Sequence, residues 1–205
     1  SIVTHKVQTT RFQIRGIAML ETSKGETAQA VMIDTPGIFE ARDSDRLSKS
    51  MVHAAWTGMN DANVIVHVID APAWLRRQAG EGDGQDRLSC EDSERVIKGL
   101  KKREVSNAIL ALNKIDKIPH DEVLPLIQSF AERGVYKDII PVSALNLDGV
   151  EKLGTLVADA MPSGPYLYSP DQAADIPMRL MAAEITREKL FLRLHDELPY
   201  ASTVE

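Results

Sequence analysis

The fold of this chain is decided by the stretch Asn107-Ala108-Ile109-Leu110-Ala111-Leu112-Asn113-Lys114-Ile115-Asp116, in which an apolar run ends in a polar tetrapeptide. The apolar run has the length of a strand and no polar alternation, which is typical of a parallel sheet with helices on both faces. Ligands of such sheets bind beyond the carboxyl ends of the strands. The tetrapeptide Asn113–Asp116 falls at that end, so it is a candidate ligand-binding loop.

The chemistry of Asp116 suits a guanine base. Its carboxylate only accepts hydrogen bonds, and the Watson–Crick edge of guanine offers two donors, N1–H and N2–H₂. Adenine lacks both donors, so it would leave the carboxylate unpaired, and a site of this kind discriminates by about 10⁴-fold or more. A plain strand followed by a polar turn is the alternative, and four residues do not separate the two.

The composition is that of an ordinary soluble globular protein. The chain has 205 residues, 43% of them hydrophobic and 26% charged, which suits one full domain and part of another. No apolar run approaches the roughly 18 residues that span a bilayer, and the first residues do not resemble a signal peptide. The net charge of −6 does not indicate nucleic-acid binding.

The single cysteine, Cys90, excludes an internal disulfide framework and a cysteine-cluster zinc site. A reducing compartment is therefore the expected setting, and we predict a cytoplasmic protein. The sequence predicts no integral membrane segment and leaves peripheral membrane contact open.

The first part of the chain is predicted to form a hairpin. Alternating apolar residues predict a strand over Phe12–Leu20, with a slip at Gly16. A turn at Ser23–Glu26 joins it to a second strand, Thr27–Asp34. A helix over about 47–60 follows.

A second buried strand is predicted at Asn63–Asp70. His67 within it is interpreted as a core or edge histidine rather than a metal or catalytic ligand, because no partner is in view. Residues 72–86 combine a proline and three glycines with charges, which predicts a flexible surface loop. A helix from about Arg87 to Arg103 then leads into the strand that precedes Asn113.

Strands and helices continue to alternate after the tetrapeptide. Pro125 resists the interior of a helix, so the next helix is predicted to start near it and to stop before Gly134. Asp138–Val142 is a short predicted strand, and Asp148 with Glu151 forms a capping-box pattern for a further helix. This alternation predicts an α/β fold with a doubly wound, mostly parallel sheet.

A domain boundary is predicted where prolines and glycines break the pattern, at Met161-Pro162-Ser163-Gly164-Pro165. We predict a first domain over 1–162, a linker over 163–178, and the start of a second domain over 179–205. A helix over about 179–196 would open that second domain.

Three strand ends carry polar tips: Asp34-Thr35-Pro36-Gly37, Asn113-Lys114-Ile115-Asp116, and Ser143-Ala144-Leu145. Each alone is a weak signal, because Asp-x-x-Gly is a common turn. Their order along the chain and their placement after apolar strands resemble the G3, G4 and G5 motifs of GTPases. The resemblance implies a P-loop GTPase-type fold with bound GTP or GDP and Mg²⁺.

The resemblance also assigns roles to single residues. Asp34 would hold Mg²⁺ through water, with Thr10 as the second metal residue and Thr9 as its rival. The Gly37 N–H would meet the γ-phosphate, the Lys114 stem would lie over the base, and the Ala144 N–H would meet guanine O6. The implied GTP-binding residues are Asp34, Thr35, Pro36, Gly37, Ile38, Asn113, Lys114, Ile115, Asp116, Ser143, Ala144 and Leu145.

Two features depart from the GTPase pattern. Ile38 stands where Ras-like members carry the glutamine that orients the attacking water, so no catalytic residue is assigned. The phosphate-binding sequence Gly-x-x-x-x-Gly-Lys-[Ser/Thr] does not occur. We therefore expect the first strand and the P-loop to lie outside this sequence, and we expect these 205 residues alone to be inactive.

The end of the sequence narrows the resemblance. Glu184-Ile185-Thr186-Arg187-Glu188-Lys189 and Glu197-Leu198-Pro199-Tyr200 resemble the start of the C-terminal domain of the Era family of bacterial ribosome-assembly GTPases. In that family the second domain is an α+β KH domain, whose Gly-x-x-Gly loop clamps single-stranded RNA. That loop does not occur here, so most of the KH domain is expected to lie outside the sequence too.

The Era resemblance implies a factor that binds and hydrolyses GTP and assists assembly of the small ribosomal subunit. Its partners would be 16S rRNA and the 30S subunit, reached through the missing part of the KH domain. Two alternatives stay open: a truncated, non-catalytic nucleotide-binding or interaction fragment, and another GTPase of the same superfamily, such as a tRNA-modification type. The Era-like tail argues against the last of these.

Overall fold

The computed structural model describes residues 14–34 and 62–172, together with residues 182, 185 and 186. They fall into two compact units, one with residues 14–19, 29–34 and those from 164 onward, the other with residues 20–28 and 62–163. The helix predicted over 47–60 lies outside the described residues. So does most of the helix predicted over 179–196, although its three described residues are helical.

The described chain opens with a hairpin. Strands β1 (Ile14–Glu21) and β2 (Thr27–Asp34) form a two-stranded sheet. The Thr22 N–H donates to the Glu26 carbonyl at 2.8 Å, and strands joined by so short a turn run antiparallel. The predicted hairpin is confirmed from residue 14 onward, while Phe12 lies outside the described residues.

In the smaller unit, the side chain of Gln29 on β2 forms hydrogen bonds with the segment after residue 163. Gln29 Oε1 accepts the Leu167 N–H at 2.9 Å and the Tyr168 N–H at 3.0 Å. Gln29 Nε2 donates to the Tyr168 carbonyl at 2.9 Å. Residues 163–172 have no helix or strand, and the linker and the domain limits stay a prediction.

The larger unit is built on a parallel sheet. Its strands are β3 (Ile65–Asp70), β4 (Ala108–Asn113) and β5 (Asp138–Pro141), with β4 in the centre. Helices connect them, so the predicted α/β class with a parallel sheet is confirmed. The helices are α1 (Ala71–Gln78), α2 (Gly84–Lys102), α3 (His120–Ala131) and α4 (Val150–Asp159).

The central strand β4 is buried on both faces, as its unbroken apolar run predicts. Leu110 and Leu112 face a core cluster with Trp74 of α1, Leu100 of α2 and Phe130 of α3. On the opposite face, a smaller cluster packs against α4; its buried members are Ile109, Ala111, Ile140 and Val142. Of the described helices, three therefore cover one side of the sheet and α4 covers the other.

Strand β3 differs from the expectation of a fully buried strand. Ile65, His67 and Ile69 are buried, whereas Val66 and Val68 on the other face are 37% and 56% exposed. The described helix on that face, α4, packs on residues of β4 and β5 instead.

The prediction of a flexible loop over 72–86 is wrong, because most of the segment is helical. Asp70 caps helix α1, its Oδ1 accepting the Ala73 N–H at 3.0 Å. Pro72 lies in the first turn, where a missing N–H is tolerated. Trp74 is buried against Phe130 with ring centroids 4.8 Å apart, and this burial holds the short helix on the sheet.

Helix α2 begins at Gly84 rather than near Arg87, because a capping box starts it. Asp83 Oδ1 accepts the Asp86 N–H at 2.8 Å, and the Asp86 carboxylate accepts the Asp83 N–H in return. Two Arg76 nitrogens donate to the same Asp86 carboxylate at 2.6 and 2.7 Å, and this bond holds the pKa of Asp86 below its usual range. The Arg76–Asp86 pair ties α1 to α2.

The prediction that the next helix starts near Pro125 is also wrong. Helix α3 begins at His120, with acidic residues Asp121 and Glu122 in its first turn, and Pro125 lies inside it. An interior proline costs about 3 kcal/mol, whereas burying Leu126 and Phe130 contributes about 1.5–3 kcal/mol each. Burial outweighs the cost, and the helix ends before Gly134, as predicted.

The capping box predicted at Asp148 does not form. Gly149 is the N-cap residue of α4, at φ 72°, and no side chain caps this helix. The Asp148 carbonyl instead accepts the Ser143 N–H at 2.9 Å. Gly149 lies so close to β5 that a Cβ atom there would stand 2.3 Å from the Pro141 carbonyl oxygen. Only glycine allows this packing, and it overrides the cap.

His67 is confirmed as a core histidine. It is 9% exposed on the inward face of β3, and its Nδ1 lies 2.6 Å from the Tyr136 hydroxyl. Burial disfavours the charged ring and lowers the pKa of His67 from 6.5 to about 4.

Stability should fall in acid because of His67. Between pH 6.5 and about 4 the unfolded chain binds a proton that the folded chain does not, so the free energy of unfolding decreases as the pH falls through this window. The loss should be on the order of 3 kcal/mol. Urea unfolding of wild type and His67→Gln at several pH values measures it. The variant should lack this part of the pH dependence, and equal pH profiles would contradict the assignment.

Candidate functional site

The carboxyl ends of the parallel strands place the predicted polar tips side by side. Asp70, the last residue of β3, pairs in register with Asn113, the last residue of β4. Leu112 pairs with Pro141 of β5, so the Ser143 loop leaves the sheet next to the same edge. The second and third predicted tips are therefore brought together by the sheet.

Asn113 joins two of these loops. Its Oδ1 accepts the Lys114 N–H at 2.8 Å and the Ala144 N–H at 3.1 Å. The Ile115 N–H adds a contact of 3.3 Å to the Val142 carbonyl. One amide oxygen thus holds the tetrapeptide and the Ser143 loop together.

A second bond joins the same loops on the side of β5. Ser143 is fully buried, and its Oγ donates to Asp116 Oδ1 at 2.6 Å and accepts the Asn146 N–H at 3.2 Å. Asp116 itself is exposed, and among the described residues its Oδ2 has no hydrogen-bond partner. The carboxylate is therefore held in place at one oxygen and open to a ligand at the other.

Lys114 is held on the side of β3. Its backbone is left-handed, with φ 67° and ψ 34°. Its Nζ lies 2.5 Å from Asp70 Oδ2. Sequence reasoning missed Asp70, although one signal was present: it is an acidic residue at the end of a strand next to β4.

The remaining predicted site residues are only partly described. Leu145 is 79% exposed beyond the Ser143 loop. Asp34 ends β2, and its side chain lies outside the described part of the chain. Five predicted residues lie outside the described ranges: Thr10, Thr35, Pro36, Gly37 and Ile38, and so does the rival Thr9.

Two other kinds of site do not occur among the described residues. Residues 14–34 and 62–172 contain no group of three or more His, Cys, Asp or Glu side chains placed to hold a metal ion. No helix within these ranges is long and apolar enough to cross a membrane.

A family model described as "50S ribosome-binding GTPase" matches residues 1–114. The chain is similar to GTPase Era of Maricaulis maris, with 51% identity over all 205 residues, and to GTPase Era of Caulobacter vibrioides, with 49% identity over the same length. It spans 63% and 62% of the length of these two relatives.

Two of the solved structures that resemble the chain are structures of Era. One is an Era variant from Aquifex aeolicus bound to GDP and AlF₄⁻, with 34% identity and a TM-score of 0.78 over 97% of this chain and 61% of that one. The other is Era in complex with MgGDPNP and nucleotides 1506–1542 of 16S ribosomal RNA. It has 33% identity and a TM-score of 0.79 over 98% of this chain and 61% of that one.

Proposed function

Since this chain belongs to the family of 50S ribosome-binding GTPases, and to the Era GTPases within that family, we propose that the complete protein binds and hydrolyses GTP. The fold of the chain is the α/β fold of P-loop GTPases. Because the chain spans about 63% of the length of a curated relative, the activity is proposed for the complete protein.

The geometry at the carboxyl ends of β4 and β5 supports guanine as the base. Asp116 offers Oδ2 and a remaining lone pair of Oδ1, which suits the N1–H and N2–H₂ donors of guanine. The Ala144 N–H lies on the next loop and donates to Asn113 Oδ1 at 3.1 Å, and it would turn to guanine O6 when the base binds. The bond from Ser143 holds the Asp116 carboxylate in place, so little ordering of that side chain is lost on binding.

We propose that Asp34 and Thr10 hold Mg²⁺. A carboxylate and a hydroxyl are hard oxygen ligands of the kind this ion prefers, so the two residue types fit it. Bound Mg²⁺ would offset negative charge on the transferring phosphate. The Gly37 N–H would donate to the γ-phosphate, and Ile38, which has no polar atom, would leave the orientation of water to another group.

We also propose that the complete protein binds 16S rRNA and the small ribosomal subunit through a KH-type domain that begins near residue 179. The solved Era complex with a 16S rRNA segment supports this partner. A net charge of −6 supports placing RNA binding outside these 205 residues. The one cysteine, Cys90, is buried as a free thiol, and this supports a reducing cytoplasm.

GTP hydrolysis by the complete protein tests the proposed function. We expect Mg²⁺-dependent phosphate release that falls to background in Asp34→Ala, because the metal shell loses its carboxylate. Thr10→Ala should reduce turnover strongly and Thr9→Ala only slightly. Turnover that survives Asp34→Ala would contradict the assigned metal residue, and a wild-type protein without turnover would contradict the function.

A further inference from the structure

One carboxylate at the end of β3 makes two contacts that point in different directions. Asp70 Oδ1 caps helix α1 by accepting the Ala73 N–H at 3.0 Å. Asp70 Oδ2 forms an ion pair with Lys114 Nζ at 2.5 Å. Asp70 therefore caps helix α1 and also holds the side chain of Lys114, which lies 44 positions away in the predicted base-binding tetrapeptide Asn113–Asp116.

This ion pair fixes the direction in which the Lys114 side chain extends. Lys114 follows the last residue of the central strand, and its ammonium reaches sideways to the end of β3. Asp116 is held towards the opposite neighbour, the loop after β5, by Ser143. The end of β4 is thus flanked by a lysine stem on one side and by a carboxylate on the other.

We propose that Asp70 is a positioning residue for guanine-nucleotide binding, which keeps the Lys114 stem stretched across the side of the base pocket that faces β3. This inference rests on the proposed GTP site. Without the ion pair, a lysine stem with its many rotamers would have to be ordered by the nucleotide itself, and affinity would fall.

The expected size of the effect follows from the exposure of the pair. The side chains of Lys114 and Asp70 are 48% and 25% exposed, and ion pairs this exposed change an equilibrium constant by about 5-fold at most. Loss of the pair should therefore weaken nucleotide binding by about 3- to 5-fold. Because Asp70 touches no reacting atom, kcat at saturating GTP should stay unchanged.

Substitutions at Asp70 can separate its two contacts. In Asp70→Ser the hydroxyl still caps α1 through the Ala73 N–H, but it is neutral and too short to reach Lys114. In Asp70→Asn the cap is kept by a side chain of the same size that has lost its charge. Both variants should therefore fold with nearly unchanged stability. A change in affinity that occurs in both variants cannot be an effect of the serine side chain alone.

A double-mutant cycle on the complete protein tests the proposal, with GDP binding as the readout. Asp70→Ser and Asp70→Asn should each raise the Kd about 3- to 5-fold in the wild-type background, and less than about 2-fold in a Lys114→Met background. The difference between wild type and variants should shrink from about 50 mM to about 1 M salt, because screening weakens exposed pairs. Guanine should stay preferred over xanthine throughout.

Each other outcome overturns the proposal. Equal fold-changes in the two backgrounds would mean that Asp70 acts without Lys114. Unchanged GDP affinity in both variants, with wild-type binding intact, would mean that the ion pair positions nothing. A wild-type protein that binds no guanine nucleotide would instead contradict the proposed function.

Discussion

Asp116→Asn should convert the complete protein from a guanine-nucleotide binder into a xanthine-nucleotide binder. An amide at this position offers one acceptor and one donor, and xanthine replaces the C2 amine of guanine with an oxygen that accepts. Because the loop is already held by Asn113 and Ser143, the site cannot easily rearrange around the wrong base. GDP affinity should fall by about 10³-fold or more, while xanthosine diphosphate gains.

Ser143→Ala is the matched control for this switch. It removes the bond of 2.6 Å to Asp116 but leaves the carboxylate itself in place. GDP affinity should drop modestly, with an unchanged order of preference between guanine and xanthine. Binding of both diphosphates is measured by competition with a fluorescent guanine nucleotide. If Asp116→Asn kept its guanine preference, Asp116 would not be the base-reading residue.

The largest loss of stability is expected from Gly149→Ala. The new Cβ would stand 2.3 Å from the Pro141 carbonyl oxygen, and the residue would keep a left-handed φ of 72°. Backbone of β5 or of the turn must then shift, so we expect the free energy of unfolding to fall by about 3–4 kcal/mol. Since Asp148 also holds the Ser143 loop, GDP affinity should fall with it.

Gly134→Ala separates the two causes. Gly134 also has a positive φ, 62°, but nothing lies within 4 Å of its ideal Cβ position. Only the cost of the left-handed conformation applies there, about 1–2 kcal/mol. Urea unfolding of both variants gives the comparison. Equal losses at Gly134 and Gly149 would show that the close approach to Pro141 has no energetic consequence.

The sequence predicted elements whose signal is local. The strand before Asn113 could be predicted because burial on both faces requires an unbroken apolar run. The errors arose where tertiary packing overrode a local rule. Pro72 indicated a loop, yet the segment is helical because Trp74 is buried against the core. Asp148 indicated a helix cap, yet Gly149 is the N-cap residue.

The same distinction explains the site. Asn113 and Asp116 could be proposed as base-binding residues from the sequence because their residue types and spacing occur in one tetrapeptide. The ion pair between Asp70 and Lys114 could not be predicted, because it depends on the register of two parallel strands. The hydrogen bond between Gln29 and Tyr168 could not be predicted from the sequence either, since the two residues lie 139 positions apart.

The three hydrogen bonds of Gln29 limit the distance between β2 and the domain predicted after the linker. They anchor the chain at Leu167 and Tyr168, so the free part of the predicted linker, up to the helix predicted from Arg179, would start at residue 168 rather than at residue 163. Ten fully extended residues reach at most about 35 Å, whereas fifteen would reach about 50 Å. Shortening a tether confines the attached domain to a smaller volume and raises its local concentration. If the second domain begins at Arg179, as predicted, these bonds of Gln29 therefore limit how far it lies from β2.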